Sequence, residues 1–129
     1  MRLLIDTQCW LWMHLAPERF SPKARRLLQR RETDILLSVA SVWEIAIKHG
    51  LGKLRLPEPL EQWVPSRVRM GQTTILAIEL AHALRVASLP TLHRDPFDRL
   101  IVAQALVEGV PLLTAEPALA GYGADVVSA

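Results

Sequence analysis

The chain has 129 residues, enough to bury one core and too few to expect a second, so a single domain over residues 1–129 is expected. Half of it is hydrophobic, yet charges or prolines interrupt every apolar run before it nears the ~18 residues of a membrane span. That excludes a membrane-spanning segment and makes a soluble, cytoplasmic protein the expectation. A formal charge of +2 with an isoelectric point near 9.1 is a mild basic lean that suits a nucleic-acid substrate. The apolar surplus predicts an oligomer or a tight protein partner, with Trp10, Trp12, Trp43 and Trp63 available to the core or to such surfaces.

In chain order, Arg2 to Ile5 reads as a buried strand, and Trp10 to Met13 as the apolar turn of a helix. Ser21-Pro22 is a cap followed by proline and opens a helix to about Arg31, and Arg19, Lys23, Arg25, Arg26, Arg30 and Arg31 crowd into that one segment of the chain. That basic run reads as a solvated helix face or an RNA or partner contact. Ile35 to Val39 is a second strand, and a helix from about Val42 to His49 stops at Gly50. Residues 58–70 carry a helical pattern that Pro65 should break or kink. Thr73 to Ile78 is a β-branched strand, Glu79 to Ser88 a short helix, and Asp95-Pro96 opens a strongly apolar helix to about Glu108. Val110 to Thr114 and Asp125 to Ser128 complete the strands. Strands alternating with helices predict a three-layer α/β/α arrangement around a mostly parallel sheet of four to five strands.

The chemistry-bearing residues are acids. Ligands of an open parallel sheet bind beyond the carboxyl ends of its strands. Asp6 closes the first strand, Glu44 lies one turn into the helix after the second, Asp98 is in the first turn of the long apolar helix, and Glu116 follows the strand ending at Thr114. Each also fits a capping role. Asp6 caps the helix after it, Ser41 to Glu44 matches a capping box, Asp95-Pro96-Phe97-Asp98 an N-cap with proline at the first position, and Glu116-Pro117 another cap. The two readings are compatible, because carboxylates gathered at one edge repel one another unless a hard divalent cation joins them. The other ligand sets are poorer. Cys9 is the only cysteine and reads as a small buried hydrophobe whose one nearby base is His14, and the histidines at 14, 49, 82 and 93 lack zinc spacing.

With these residues assembled, the chain resembles the PIN-domain ribonucleases, specifically the VapC toxins of bacterial toxin–antitoxin pairs. The resemblance rests on Leu4-Ile5-Asp6-Thr7, the block from Ser38 to Lys48, Gly50-Leu51-Gly52-Lys53-Leu54, the block from His93 to Ala105, and Leu112 to Glu116. It implies a PIN-like fold and an endoribonuclease that uses Mg²⁺, or Mn²⁺ in its place, to acidify a water and offset charge on the scissile phosphate. Carried over position by position, Asp6, Glu44 and Asp98 hold the metal. At Glu116 the chain departs from the pattern, where an aspartate is usual. Thr7 and Thr114 would position water or substrate, and Lys48, Arg94 and Arg99 would hold RNA phosphates. His93 is placed to reach substrate or to serve as a loop histidine. A homodimer and a VapB-type antitoxin are implied as partners.

Two alternatives on the same broad fold are weaker. A haloacid-dehalogenase-type phosphatase wants an aspartate where Gln8 stands, and a receiver domain wants an acidic pair near the first strand. An alternative of another class is a non-catalytic module of the same fold that binds RNA or an antitoxin, for which Glu116 is the motivating departure.

Overall fold

A computed structural model describes residues 1–92 and 94–129. Five strands, β1 (Arg2–Ile5), β2 (Asp34–Ser38), β3 (Thr74–Leu76), β4 (Leu112–Thr114) and β5 (Val126–Ser128), form one wholly parallel sheet in the order β3-β2-β1-β4-β5. The chain builds outward from β1 to β3, then returns to the other side of β1 for β4. This reversal puts a topological switch point between β1 and β4. The three-layer α/β/α arrangement expected for a PIN-like fold is present, with all strands parallel.

The three central strands, β2, β1 and β4, are largely apolar on both faces because helices cover both. Successive residues go to opposite cores: Leu3, Ile5, Ile35, Leu37 and Leu113 pack with Trp10, Ile45 and Trp63, whereas Leu4, Leu36 and Leu112 pack with Ile101, Val102 and Ala105. Register fixes this division, since Leu4 is paired with both Leu36 and Leu112. The first face is covered by α1 (Thr7–Leu15), α2 (Pro22–Gln29), α3 (Val39–Gly50) and α4 (Leu60–Met70). The second carries α5 (Leu80–Val86) and α6 (Pro96–Glu108). Among the described residues no helix is long and apolar enough to cross a membrane.

Three expectations are corrected. First, α3 begins at Val39, three residues earlier than its sequence pattern suggested, because Ser38 ends β2 and caps the helix at once, its Oγ accepting from the Ala40 amide at 3.0 Å. Ser41 is therefore inside the helix and the Ser41–Glu44 capping box does not form. Second, α3 runs through Gly50, and the left-handed residue that turns the chain back is Gly52, at φ 72°. Third, Pro65 lies inside an unbroken α4: buried Trp63 and Val64 anchor the helix, while Pro65 and Glu61 are exposed, so the carbonyl deprived of its helical donor has water available.

Candidate active site and metal centre

Asp6 leaves β1 directly into the N-cap of α1. Its Oδ1 accepts from the Cys9 amide at 2.8 Å and its Oδ2 from the Thr114 hydroxyl at 2.5 Å. The Thr114 oxygen in turn accepts from the Glu116 amide at 2.9 Å. One buried hydroxyl at the end of β4 thus ties the first acid to the loop that carries the last.

Glu44 sits in the second turn of α3, its side chain only 6% exposed. Oε2 accepts from the Lys48 ammonium at 2.7 Å, one helical turn on. Oε1 is buried and has no hydrogen-bond partner among the described residues. The hydrogen bond to Glu44 pushes the Lys48 pKa above its usual value, and the charges of Glu44, Asp95 and Asp98 add to that. Lys48 therefore belongs to the acidic cluster as well as to its helix.

Asp98 is the third residue of α6. Asp95 caps that helix, as the sequence predicts, accepting from the amides of Phe97 at 2.9 Å and Asp98 at 3.1 Å through one oxygen. Asp6, Glu44, Asp95, Asp98 and Glu116 line one cavity of about 540 Å³, together with Lys48. It lies at the carboxyl ends of β1 and β4, at the switch point. Glu116 is exposed at its edge and also caps the 3-10 turn Pro117–Tyr122 through Ala118 N at 3.3 Å.

The other expected residues are placed differently. Thr7 lines the cavity, but its hydroxyl donates to Ser41 Oγ at 2.9 Å and so joins α1 to α3. Thr114 stands behind Asp6 rather than on the cavity wall. Arg99 does not line the cavity: its guanidinium donates to the carbonyls of Pro90 at 2.9 Å and Val86 at 3.3 Å. Neighbours on a helix point about 100° apart, so an arginine next to Asp98 cannot share its direction. Arg94 is exposed and also absent from the lining. His93 lies outside the described residues.

Lys53 was not anticipated. It lines the cavity because the turn at Gly52 brings the chain back over α3, the Lys53 amide donating to the Lys48 carbonyl at 2.9 Å. The signal was present in Gly50-Leu51-Gly52-Lys53, where a glycine able to adopt positive φ precedes a basic residue.

Cys9 is fully buried, and burial, with Asp6 close by, pushes its thiol far above the usual range. It offers no thiolate nucleophile. Among the described residues no three acids stand close enough to form a ready-made ligand set. The donors nevertheless fit a hard divalent cation: they are all carboxylate oxygens, and one of them, Glu44 Oε1, is buried without a partner.

A wholly parallel α/β sheet with acids at its switch point is the architecture of the PIN domain. The PIN-domain family model matches residues 3–124, and the chain belongs to that family. Ribonuclease VapC16 of Mycobacterium tuberculosis is 47% identical over 60 residues, 46% of this chain and 43% of that protein, so the matched stretch spans less than half of that relative. Ribonuclease VapC22 of the same organism is 25% identical over 120 residues, 93% of this chain and 91% of that protein. Among solved structures, VapBC2 from Rickettsia felis, bound to a DNA fragment from their promoter, is similar in fold at a TM-score of 0.74 and 16% identity, covering 100% of this chain and 99% of that one.

Proposed function

We propose that the chain is a Mg²⁺-dependent endoribonuclease, Mn²⁺ being able to substitute, and the toxin of a VapC-type toxin–antitoxin pair acting in the cytoplasm. The observation that carries this reading is the gathering of Asp6, Glu44, Asp98 and Glu116 around one cavity at the switch point, with a buried Glu44 oxygen left unpartnered. The ribonuclease names of the two relatives support it.

In this reading Asp6, Glu44 and Asp98 hold the ion, and what a bound Mg²⁺ supplies there is a more acidic water and compensation of phosphate charge. The protein's own groups do the rest. The Thr114 hydroxyl and the Cys9 amide fix the Asp6 carboxylate in one orientation. Lys48 keeps the Glu44 carboxylate turned toward the cavity and brings a cation among the acids. Cys9 being buried and protonated, the attacking group is water, and both products leave without a covalent enzyme intermediate.

The partners proposed are RNA, a VapB-type antitoxin and a second copy of the chain. The VapBC assembly among the structural neighbours supports the antitoxin, and exposed apolar side chains on α3 and α5, Trp43, Leu80 and Leu84 among them, support a protein–protein face.

The test is cleavage of RNA by the purified, antitoxin-free protein. Cleavage should require Mg²⁺ or Mn²⁺, cease with EDTA, and fall by about 10²-fold or more in Asp98→Asn with the fold retained by circular dichroism. Undiminished cleavage by Asp98→Asn would sink the assignment. Binding of RNA without cleavage by the wild type would favour the non-catalytic module.

A further inference from the structure

The acidic cavity does not stand alone. Ala115 and Glu116, on its β4 side, also line a second groove of about 350 Å³. That groove runs along the ends of β4 and β5, with Thr114 and Ser128 in its wall, and it contains Trp12 and Arg19. The first cavity is lined by residues that follow β1, β2 and the α3 turn, Lys53 among them. Glu116 is the ridge between the two. Besides Lys48, which is paired with Glu44, the acids thus have one further basic side chain in each groove.

These two cations differ from the others near the site. Lys48 is paired with Glu44, and Arg99 is spent on backbone carbonyls. Among the described residues neither Lys53 nor Arg19 takes part in an ion pair, and both are exposed. Arg19 is held over the Trp12 ring, its guanidinium carbon 5.7 Å from the ring centroid, which steadies it without using its hydrogen-bond donors. An acidic cavity by itself repels a polyanion, so a nucleic-acid chain crossing it needs cations for the phosphates on either side.

We infer that a single RNA strand crosses the acids from one groove to the other, its phosphates on the two sides of the scissile bond held by Lys53 and by Arg19. This rests on the nuclease reading for what happens between them. It also divides the basic run of the sequence. Arg19 lines the groove beside the acids, whereas Arg30 and Arg31 line a pocket with Asp34 and Ile35 at the start of β2, the amino end of the parallel strands.

The experiment is equilibrium binding of a mixed-sequence single-stranded RNA oligonucleotide to Asp98→Asn protein across about 50 to 200 mM salt, a range over which phosphate contacts declare themselves. Lys53→Ala and Arg19→Ala should each weaken binding and reduce the slope of log K against log salt by about 0.7, the value for one phosphate contact on a single strand. Lys53→Arg should keep the wild-type slope, and Arg30→Ala should leave it unmoved. In the cleaving enzyme the same two alanine variants should raise KM with kcat little changed. Unmoved slopes in both variants, or an equal loss in Arg30→Ala, would overturn the strand path. So would unmoved slopes accompanied by weaker antitoxin binding, which would give the two cations to the protein partner. If the slopes fall as expected while wild-type protein fails to cleave, the path stands and the nuclease reading is what fails.

Discussion

Glu44 and Asp98 reach the same cavity by opposite means. Asp98 is delivered by a helix start: Asp95 caps α6, Pro96 presets the first turn, and the third residue projects where capping puts it. Glu44 is delivered by the body of a helix, a turn beyond a cap made by Ser38, and is kept in place by Lys48. An acid at a helix start needs only local chemistry to be oriented. An acid set deeper in a helix, nearly buried, needs a counter-charge, and Glu44 has one for a single oxygen. The first can be recognised from four residues in a row; the second depends on where the helix begins.

The largest effect is expected from removing that counter-charge. Lys48→Met leaves a nearly buried carboxylate without a partner on either oxygen among the described residues, and removes a cation whose charge interacts with Glu44, Asp95 and Asp98. The cation-free protein should lose about 1–3 kcal/mol of stability. Added Mn²⁺ should then raise the melting temperature of Lys48→Met by more than that of wild type, since an ion that binds only the folded state stabilises it by mass action. Equal stability and equal Mn²⁺ response in the two proteins, measured by thermal denaturation, would show that Lys48 is an ordinary surface lysine. On the α6 side the break is smaller. Asp95→Ala should cost about 1 kcal/mol, the usual loss for an N-cap, and Asp95→Asn should recover most of it. Full cleavage by Asp95→Asn would confine the residue to capping, whereas stable but slow protein would assign its charge to the cavity.

The same contrast governs what was legible in advance. The parallel sheet follows from short β-branched and leucine-rich runs separated by helical patterns, and β1 and α6 lie where their patterns place them. Asp6, Asp98 and Glu116 stand at the ends of elements, so finding the elements found the acids. The start of α3 was missed because Ser38 both ends a strand and caps a helix, leaving no loop to mark the boundary. Glu44 does line the cavity, but the capping role that its sequence context suggested is absent. The cations were the least legible. Adjacency to Asp98 in sequence gives Arg99 a different direction in space, while Lys53 arrives through the backbone turn at Gly52, which no helical periodicity encodes.

The smallest expected effect separates the two acids by pH alone. The Lys48 pKa is raised in the folded protein by its hydrogen bond to Glu44. A group whose folded pKa exceeds its unfolded value holds its proton more tightly when folded, so its contribution is complete below the unfolded value of 10.5 and disappears as pH rises through the folded one. Denaturant titrations from neutral pH to above 10.5 should therefore show wild type losing more stability than Lys48→Met, the two converging at the alkaline end. The loss should be modest, because the Lys48 side chain is 48% exposed and its charge is screened by water. Asp95→Ala should follow wild type closely over the same range and fall only slightly less, since the larger Glu44 hydrogen bond to Lys48 remains and only the smaller contribution of the Asp95 charge is lost. Parallel curves for all three proteins would mean that the Glu44–Lys48 contact contributes nothing to folding, and that Glu44, like Asp98, is placed by its helix alone.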